Sequence, residues 1–456
     1  MNNLNKEMFR EYDIRGVYGK DLNEEVAYNI GRAFGTKLRS LNIPVTVVAY
    51  DNRLSSPVLE ENLVKGLVET GINVKRLGLA TTPMCYFAAN YLNTNCSMMI
   101  TASHNPKEYN GFKFSYNGIH NAYGDSVKEI YDIIMSGNFA NGNGTVENVD
   151  IRDAYIDLVT SKLDFGDRKI KVVYDPGNGT GSIIADQIFE KLSQKVDSTG
   201  IFNISDGTFP NHHPDPCIES NLEQLKAKVI ETKADIGISF DGDGDRLGII
   251  SNTGRFIPSD IFMIIYIRDM INKVSNKSFL YDIKCSKSLS DEIDKLGGNG
   301  ICYRTGNSYM KAKVNDDKLP FGGELSGHIY FNDRWPGFDS GMYAGLRMLE
   351  ILSNTSKTVE ELLENINKYY SDEEEKYPSS DDKKFKVVEK IKEYVISKGY
   401  DYIDIDGIRV SFPDGWALVR ASNTGPNITA RFEATSEERL KEIQDEFRGV
   451  INEENK

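Results

Sequence analysis

Hydrophobic positions near the amino terminus alternate between helical and strand-like spacing. Apolar side chains recur every three or four residues over 26–41, and Asp21 and Glu24 precede them in the pattern of a capping box. Residues 45–50 form a short β-rich run, and helical spacing returns over 59–67. This alternation of helix and strand predicts a mostly parallel α/β sheet.

Two later stretches repeat the pattern. Residues 171–175 are strand-like and lead through a glycine-rich turn into a helical pattern at 183–192. Residues 279–282 precede another helical pattern at 289–296. We therefore expect three comparable α/β units.

The carboxyl-terminal part follows a different pattern. Residues 371–384, SDEEEKYPSSDDKK, are charged and lack apolar periodicity, which is typical of a solvated linker. A helical pattern at 385–397 and a helix that starts at Ser436 predict an α+β module together with short strands. These strands are expected at residues 408–412, 416–420 and 428–434. The predicted domains are residues 1–150, 151–253, 254–370 and 371–456.

Composition and charge narrow the classes of function. The chain is 39% hydrophobic and 27% charged, which is typical of a folded, soluble protein. Its formal net charge of −14 argues against broad binding of nucleic acid or anionic membranes, because both need a basic surface. An anionic substrate must therefore be bound by locally placed arginine and lysine side chains.

The cysteines and the apolar runs favour a cytoplasmic protein. The 5 cysteines are odd in number and form no C-x-x-C pair, which fits reduced thiols better than a disulfide framework. The amino terminus has no apolar signal region, and no uncharged apolar run is long enough to span a bilayer. Secretion and membrane insertion are both unsupported.

The segment DGDGDR is the sharpest chemical motif, and it lies between two apolar, strand-like runs. Alternate residues of an extended chain point the same way, which brings Asp241, Asp243 and Asp245 together, and glycine lets the backbone bend around an ion. Three carboxylates form a hard-oxygen site suited to Mg²⁺. An EF-hand is the rival interpretation. It fails because Arg246 and Asn252 occupy the sixth and twelfth positions, where glycine and glutamate are required.

Three further segments carry polar chemistry. TASHNP at 101–106 follows an apolar run and contains Ser103, which is not the nucleophile of an α/β-hydrolase because the G-x-S-x-G motif is absent. GGELSGH at 322–328 offers a carboxylate, a hydroxyl and an imidazole suited to sugar hydroxyls. RASNTGP at 420–426 has the groups of a phosphate cradle. Taken singly, each is explained as well or better by a polar turn.

In combination, and in this order, the four segments resemble the α-D-phosphohexomutase superfamily, whose members carry a phosphoserine loop, a metal loop, a sugar-binding loop and a phosphate-binding loop. The resemblance covers nearly the whole chain. It is greatest to the bacterial phosphomannomutase/phosphoglucomutase group, because Leu325 stands where phosphoglucosamine mutases typically have glutamine. It implies four domains around a central cleft, the first three sharing an α/β core and the last related to TATA-box-binding-protein-like folds. Further matching segments are residues 9–16, 210–216, 282–285 and 305–306.

The resemblance implies the catalytic roles. Ser103 carries the phosphoryl group, and Arg246 is expected near the phosphoserine. Lys113 and His328 are alternative general bases or acids, and desolvation would lower the pKa of Lys113 towards that role. Glucose 1,6-bisphosphate is expected as an activator. The implied ligands of Mg²⁺ are Ser103, through a phosphoserine oxygen, and Asp241, Asp243 and Asp245.

The resemblance also implies the substrate contacts. Glu324 and Ser326 are expected to hold sugar hydroxyls. Asn307 is expected at the substrate, in a position where relatives often have histidine. The far phosphate is expected on Arg420, Ser422, Asn423 and Thr424. The other residues expected at the cleft are Arg10, Tyr12, Arg15, His104 and Lys284.

The implied activity is that of an isomerase, an intramolecular phosphotransferase that interconverts the 1-phosphates and 6-phosphates of mannose and glucose through a hexose 1,6-bisphosphate. A phosphoglucosamine or other phosphosugar mutase is the alternative among enzymes. A catalytically silent phosphosugar-binding protein is the alternative outside them. We expect small hexose phosphates as the only partners, without nucleic acid or membrane, and a monomer or weak homodimer.

Overall fold

The computed structural model describes residues 4–422 and 425–456, which form four β-sheets with flanking helices. The first sheet has the strand order β1-β5-β4-β2-β3-β7, and β6 is added beside β5. Its strands are β1 (Ile14–Val17), β2 (Val45–Tyr50), β3 (Asn73–Leu79), β4 (Ser97–Ile100), β5 (Tyr109–Asn117), β6 (His120–Asn121) and β7 (Val146–Asn148). The accompanying helices are α1 (Glu24–Ser40), α2 (Ser56–Glu69), α3 (Thr82–Tyr91) and α4 (Asp125–Ser136), with a 3₁₀ turn at Lys6–Met8.

The start of α1 corrects one detail of the sequence prediction. Asn23, not Asp21, is the N-cap residue, and its side chain accepts a hydrogen bond from the backbone N–H of Val26. The carboxylate of Asp21 instead accepts from the backbone N–H of Val17 at 3.0 Å. The predicted capping box is therefore wrong, although the helix it was meant to start is present.

The second and third sheets are smaller. The second has the order β12-β11-β10-β8-β9 and the third β14-β13-β15-β16. Their strands are β8 (Ile170–Asp175), β9 (Val196–Gly200), β10 (Ile236–Phe240), β11 (Leu247–Ser251), β12 (Phe256–Ile257), β13 (Ser278–Asp282), β14 (Asn299–Tyr303), β15 (Phe321–Gly323) and β16 (Ile329–Phe331). Their helices are α5 (Arg152–Ser161), α6 (Ser182–Lys191), α7 (Glu223–Thr232), α8 (Ser259–Met270), α9 (Lys287–Lys295), α10 (Asn307–Asp316), α11 (Gly341–Ser353) and α12 (Val359–Leu362), with a 3₁₀ turn at Glu219–Leu222.

These three sheets share one topology. In each, a first core strand (β2, β8 or β13) lies between a second (β3, β9 or β14) and a third (β4, β10 or β15), and all three are parallel. A fourth strand (β5, β11 or β16) is then added antiparallel to the third. The prediction of three comparable α/β units is confirmed. The connection from third to fourth strand carries Ser103 in the first unit, the three aspartates in the second and residues 324–328 in the third, so these loops are topologically equivalent.

The fourth sheet is entirely antiparallel, with the order β17-β22-β21-β20-β19 and β18 added beside β22. Two helices accompany it, which confirms the predicted α+β module. The relation to TATA-box-binding-protein-like folds stays a prediction. The elements are β17 (Tyr370–Ser371), β18 (Glu375–Pro378), α13 (Asp381–Ser397), β19 (Asp401–Ile403), β20 (Ile408–Phe412), β21 (Gly415–Ala421), β22 (Asn427–Ala434) and α14 (Glu437–Glu454).

The prediction of a linker without regular structure at residues 371–384 is wrong, although most of the segment is exposed or half-buried as predicted. The segment contains the edge strand β18, which pairs with β22, and the first turn of α13, where Lys384 is buried. In β18, half-buried Glu375 and Tyr377 alternate with exposed residues. Edge strands commonly carry such charge, because it discourages pairing with other chains. The charged composition of this segment therefore made its strand hard to recognise from the sequence.

Three main cores hold these elements together, one of which lies between the first sheet and helices α1, α2 and α4. A second, continuous apolar core runs through the first three sheets and includes Val47, Ile238 and Phe279. The fourth sheet has its own core between its strands and helices α13 and α14. A small cluster that includes Ile283 and Trp416 joins the third and fourth sheets. Within the described ranges, no helix combines the length and apolar character needed to cross a membrane.

Candidate active site

Ser103 lies in the connection between β4 and β5, with its backbone in the left-handed region at φ 51°. Its N–H donates to Thr101 Oγ1 at 2.8 Å, and its own Oγ donates to Asp241 Oδ2 at 2.8 Å. A left-handed serine is strained by about 1 kcal/mol or more, so its surroundings must hold it in place. The hydroxyl is thereby fixed against the aspartate loop.

The aspartate loop connects β10 and β11. Asp241, Asp243 and Asp245 are all buried, and one oxygen from each lies within 4.8 Å of the others. A Cβ at Gly242 would lie 2.6 Å from the carbonyl oxygen of Ser103, so glycine is required for this close approach of the two loops. Sequence reasoning thus found two loops that the fold brings into direct contact.

The carboxylates retain unused ligand atoms. Oδ1 of Asp243 and Oδ1 of Asp245 are buried and have no hydrogen-bond partner in the described part of the chain. Burial raises the pKa of Asp241 well above its usual value, and Asp245 and Asp243 raise it further. Buried carboxylates are expected to be paired or to coordinate a metal. This donor set therefore fits a hard divalent cation.

Lys113, on β5, is the cation already present in this cluster. Its Nζ lies 2.9 Å from Oδ2 of Asp243 and 2.9 Å from Oδ2 of Asp245. Burial opposes the charged form, but these two carboxylates outweigh it and raise the pKa of Lys113 well above its usual value. The expected lowering of the Lys113 pKa by desolvation is therefore outweighed in this arrangement, and the net shift is upward.

His328 is the last residue of the sugar loop, the connection between β15 and β16 at residues 324–328, and it lies directly beside the aspartate loop. Leu247 N–H donates to Gly327 O at 3.1 Å, which joins the two loops. His328 Nε2 accepts from Arg246 Nε at 3.1 Å, so the ring proton is on Nδ1, which donates to Asp339 Oδ2 at 2.9 Å. The imidazole is thus oriented by a buried carboxylate, the arrangement of a general base.

Three buried residues at this site were missed by sequence reasoning. Asp339 orients His328, and Lys311 lies next to Asp339 with no exposed surface. Arg53 binds the Ser103 loop from behind. The sequence gives no signal for Lys311, because it belongs to a helix whose pattern predicts exposure. Arg53 could have been found, because it closely follows strand β2 and residues at the carboxyl ends of parallel strands commonly form sites.

Glu324 and its neighbours form the sugar loop. Both carboxylate oxygens of Glu324 are engaged, one by Gly306 N–H at 2.8 Å and the other by Tyr330 Oη at 3.0 Å, and burial raises its pKa. Ser326 is half-buried. Asn307 donates to Asp339, so its amide faces the partner of His328.

The first sheet adds polar groups from its amino-terminal segment. Burial, with Asp13, raises the pKa of Tyr12 to about 12, and the charges of Glu324 and Arg420 also act on this tyrosine. Tyr12 therefore lies where the sugar loop and the phosphate loop meet. Arg15 donates to Asn105 Oδ1 at 2.9 Å, beside the Ser103 loop.

Of three further predicted residues, His104 lies next to Ser103. His104 Nδ1 is 3.4 Å from Ser103 Oγ, and burial, with the nearby cations Arg246 and Arg15, lowers the pKa of His104 well below its usual value. Lys284 Nζ lies 3.9 Å from Glu374. The charge of Arg10 acts on Asp21, at the turn after β1.

The phosphate loop connects β21 and β22. Arg420 is buried and donates from Nη2 to Asp406 Oδ2 at 2.7 Å, and that oxygen also accepts from Thr305 N–H at 3.1 Å. Lys384 donates to the carbonyl oxygens of Ser422 at 2.7 Å and Gly425 at 3.1 Å. The predicted phosphate ligands Asn423 and Thr424 lie outside the described residues.

Comparison with known proteins gives a consistent result. Family models of phosphoglucomutase/phosphomannomutase match all four parts: alpha/beta/alpha domain I at residues 6–141, domain II at 153–254, domain III at 258–369 and the C-terminal domain at 370–450. A phosphomannomutase/phosphoglucomutase of Pseudomonas putida is 40% identical over 441 residues, covering 97% of this chain and 94% of the relative. A phosphoglucomutase of Neisseria gonorrhoeae is 38% identical, covering 99% and 98%. The crystal structure of a phosphoglucomutase/phosphomannomutase family protein from Burkholderia thailandensis superimposes with a TM-score of 0.92 at 37% identity, covering 99% and 98%.

Proposed function

Because this chain belongs to the phosphoglucomutase/phosphomannomutase family, we propose that it interconverts hexose 1-phosphates and hexose 6-phosphates, with glucose and mannose as the sugars. The observation that carries the proposal is the contact between Ser103 Oγ and Asp241 Oδ2 at 2.8 Å, which places a buried hydroxyl against three carboxylates. Relatives of similar identity are named for both sugars or for glucose alone. The preference between the sugars is part of the proposal.

Ser103 is the phosphoryl carrier in this proposal. In the first transfer, the bond between phosphorus and Ser103 Oγ breaks and a bond to a sugar hydroxyl oxygen forms. The hydroxyl proton passes to a general base, and a proton returns to Ser103 Oγ. The hexose 1,6-bisphosphate then reorients and gives its other phosphoryl group back to Ser103. Glucose 1,6-bisphosphate activates the enzyme because it can phosphorylate Ser103 directly.

His328 is the better placed of the two candidate bases. Its Nδ1–H is held by Asp339, and its Nε2 lone pair, which here accepts from Arg246 Nε, would take the proton once Arg246 turns to the phosphoryl group. Lys113 is instead bound as a cation between Asp243 and Asp245. A positioned base of this kind contributes about 10²–10⁴-fold to a rate. Arg246, which contacts His328, would bind the transferred phosphoryl group.

Asp241, Asp243 and Asp245 would hold Mg²⁺ through one carboxylate oxygen each, with a phosphoserine oxygen as a further ligand. Bound there, the ion would neutralise charge on the phosphoryl group during transfer. Glu324 and Ser326 would bind sugar hydroxyls. Arg420 and Ser422, with Asn423 and Thr424, would bind the phosphate that does not react.

A coupled assay tests this function. The protein is given glucose 1-phosphate or mannose 1-phosphate with Mg²⁺ and a catalytic amount of glucose 1,6-bisphosphate, and formation of the 6-phosphate is followed. We expect turnover of both sugars and one added phosphoryl group on Ser103 by mass spectrometry. Turnover of glucosamine phosphate alone would replace the sugar assignment, and binding without turnover would favour the silent phosphosugar-binding protein.

A further inference from the structure

Arg53 is one of the most buried charged side chains, with 1% of its surface exposed. It lies in the connection between β2 and α2, and its guanidinium makes a complete set of hydrogen bonds. Nε donates to Asp51 Oδ2 at 3.0 Å. The other four bonds run from Nη1 to the carbonyl oxygens of Pro106 at 2.6 Å and Tyr109 at 3.1 Å, and from Nη2 to those of Ser103 at 2.7 Å and Asn105 at 2.6 Å.

Four of these five acceptors belong to one segment, residues 103–109, which comprises the connection that carries Ser103 and the first residue of β5. An arginine has five N–H groups in a rigid, planar fork, so one side chain can fix several carbonyls in a single arrangement. A lysine has three donors at one point and cannot reproduce the fork. The contacts therefore specify arginine, and not merely a buried positive charge.

The segment needs such an anchor. Ser103 has a left-handed backbone that a serine rarely adopts, and its carbonyl oxygen passes within 2.6 Å of the position of a Cβ at Gly242. With its carbonyls bound to Arg53, the loop presents the Ser103 hydroxyl to the opposite side, where Asp241 accepts it. Without the guanidinium, the buried carbonyl of Ser103 and the carbonyls of Asn105, Pro106 and Tyr109 would each lose a donor, and the loop would relax.

We propose that Arg53 is a positioning residue for phosphoryl transfer, which holds the Ser103 loop so that Oγ faces the aspartate loop. This inference rests on the proposed role of Ser103 as carrier. The guanidinium donates its hydrogen bonds to backbone carbonyls of residues 103–109 and to the carboxylate of Asp51, so it acts through the backbone of the loop and not on the Ser103 hydroxyl. Transfer should depend on it because misplacement of a reacting group by about 1 Å costs on the order of 10²-fold in rate.

The rival view is that Arg53 is simply a buried ion pair that stabilises the fold. Arg347 supplies the matched control, since it is also buried, with 2% exposed, and donates to both carboxylate oxygens of Asp333 at 3.1 Å. Its described contacts involve no residue of the Ser103 loop. Replacing it by lysine makes the same chemical change at a buried ion pair elsewhere.

The experiment compares Arg53→Lys, Arg347→Lys and Asp51→Asn in the full-length protein. Asp51 accepts two hydrogen bonds from Arg53, one from Nε through Oδ2 and one from the backbone N–H through Oδ1. Asparagine at position 51 has one oxygen and one NH₂ group, so one of these two N–H groups would face another donor. This milder variant decides the question if Arg53→Lys does not fold. The measurements are kcat, KM for glucose 1-phosphate, the rate of Ser103 phosphorylation by glucose 1,6-bisphosphate, and Tm.

We expect Arg53→Lys to lower kcat and the rate of Ser103 phosphorylation by about 100-fold with a KM within about threefold of the parent, because sugar and phosphate contacts lie on other loops. Asp51→Asn should change the same two rates in the same direction, and Arg347→Lys should lower Tm alone. Folded variants at residues 53 and 51 with parental rates would overturn the inference, as would an equal loss of rate in Arg347→Lys. If the parent itself takes up no phosphoryl group on Ser103, the proposed function fails instead.

Discussion

Nζ of Lys311 lies 3.5 Å from Oδ1 of Asp339, and both side chains are fully shielded from solvent. Burial lowers the pKa of Lys311 to about 8, although Asp339 opposes this. Burial raises the pKa of Asp339, but Lys311 and His328 outweigh burial and lower the pKa of Asp339 to about 2. The carboxylate that orients His328 therefore remains charged at neutral pH.

The first prediction concerns the pH dependence of stability at Lys311. Between pH 8 and the unfolded value near 10.4, the unfolded chain binds more protons at this group, so its contribution to stability rises with pH. Relative to Lys311→Met, the parent should gain on the order of 3 kcal/mol across this window and show no trend below it. Thermal unfolding of both proteins at pH 7 and pH 10 measures the difference. The partly exposed Lys313, whose pKa Asp317 raises, is the control position. A constant difference between the two pH values would contradict the assigned protonation.

The second prediction concerns metal removal. Asp243→Asn replaces one oxygen of a buried carboxylate whose Oδ1 has no other partner. We expect chelation to abolish turnover and Mg²⁺ to restore it in the parent. In the variant, kcat should fall at least about 100-fold, because a catalytic metal supplies several kcal/mol. Calorimetric titration with Mg²⁺ should show weakened binding. Asp197→Asn, at an exposed position on β9, should behave as the parent, and full activity of Asp243→Asn in chelator would refute the metal site.

The third prediction concerns Arg420. A hydrogen bond to a charged group is worth about 1.5–3 kcal/mol, so Arg420→Met should lower kcat/KM by roughly 10- to 100-fold. Phosphorylation of Ser103 by acetyl phosphate, which lacks the far phosphate, should change less. Arg448→Met, at an arginine that pairs with Glu375 in the same domain, controls for loss of a cation. Unchanged sugar-phosphate kinetics would rule out a phosphate-binding role.

The fourth prediction concerns Lys384, which binds two carbonyls of the phosphate loop from behind. Lys384→Met should raise KM for glucose 1-phosphate about tenfold, because the loop loses a charged hydrogen-bond donor. Tm should fall as well, since buried carbonyls are left without that donor. Lys386→Met, two residues along α13 at an exposed position, should change neither quantity. A loss of stability without any change in KM would show that Lys384 supports the fold alone.

The sequence predicted the strands and the loops at their ends well, because those loops follow clear apolar runs. The predicted strand at residues 45–50 agrees with β2 at both ends. The aspartate loop lies between two paired strands, as its flanking residues indicated. Such local signals need no knowledge of tertiary contacts.

Apart from the capping box, the misses share one cause, which is a charged side chain that is buried. Lys384 and Lys311 belong to charged or helical segments and Arg53 to a loop, and in all three settings a charged residue is normally exposed. Each is buried because carbonyls or a carboxylate from distant segments meet it in the folded protein. The raised pKa of Lys113 has the same origin, since its two carboxylates are 130 and 132 residues away in the chain. Contacts of this range leave no periodic signal.

The division into a core shared by three sheets and a core confined to the fourth bears on how the protein folds. The first three sheets all bury apolar side chains in a common interior, so removing one would expose the others, and the further core of the first sheet is joined to that interior through the sheet itself. The carboxyl-terminal sheet encloses its own interior between β20–β22 and two helices. It therefore has what an autonomous folding unit needs, and the chain should assemble as two cooperative blocks rather than four. Substitutions in the carboxyl-terminal domain could then accumulate without disturbing the packing of the first three sheets, although both parts are needed to form the cleft.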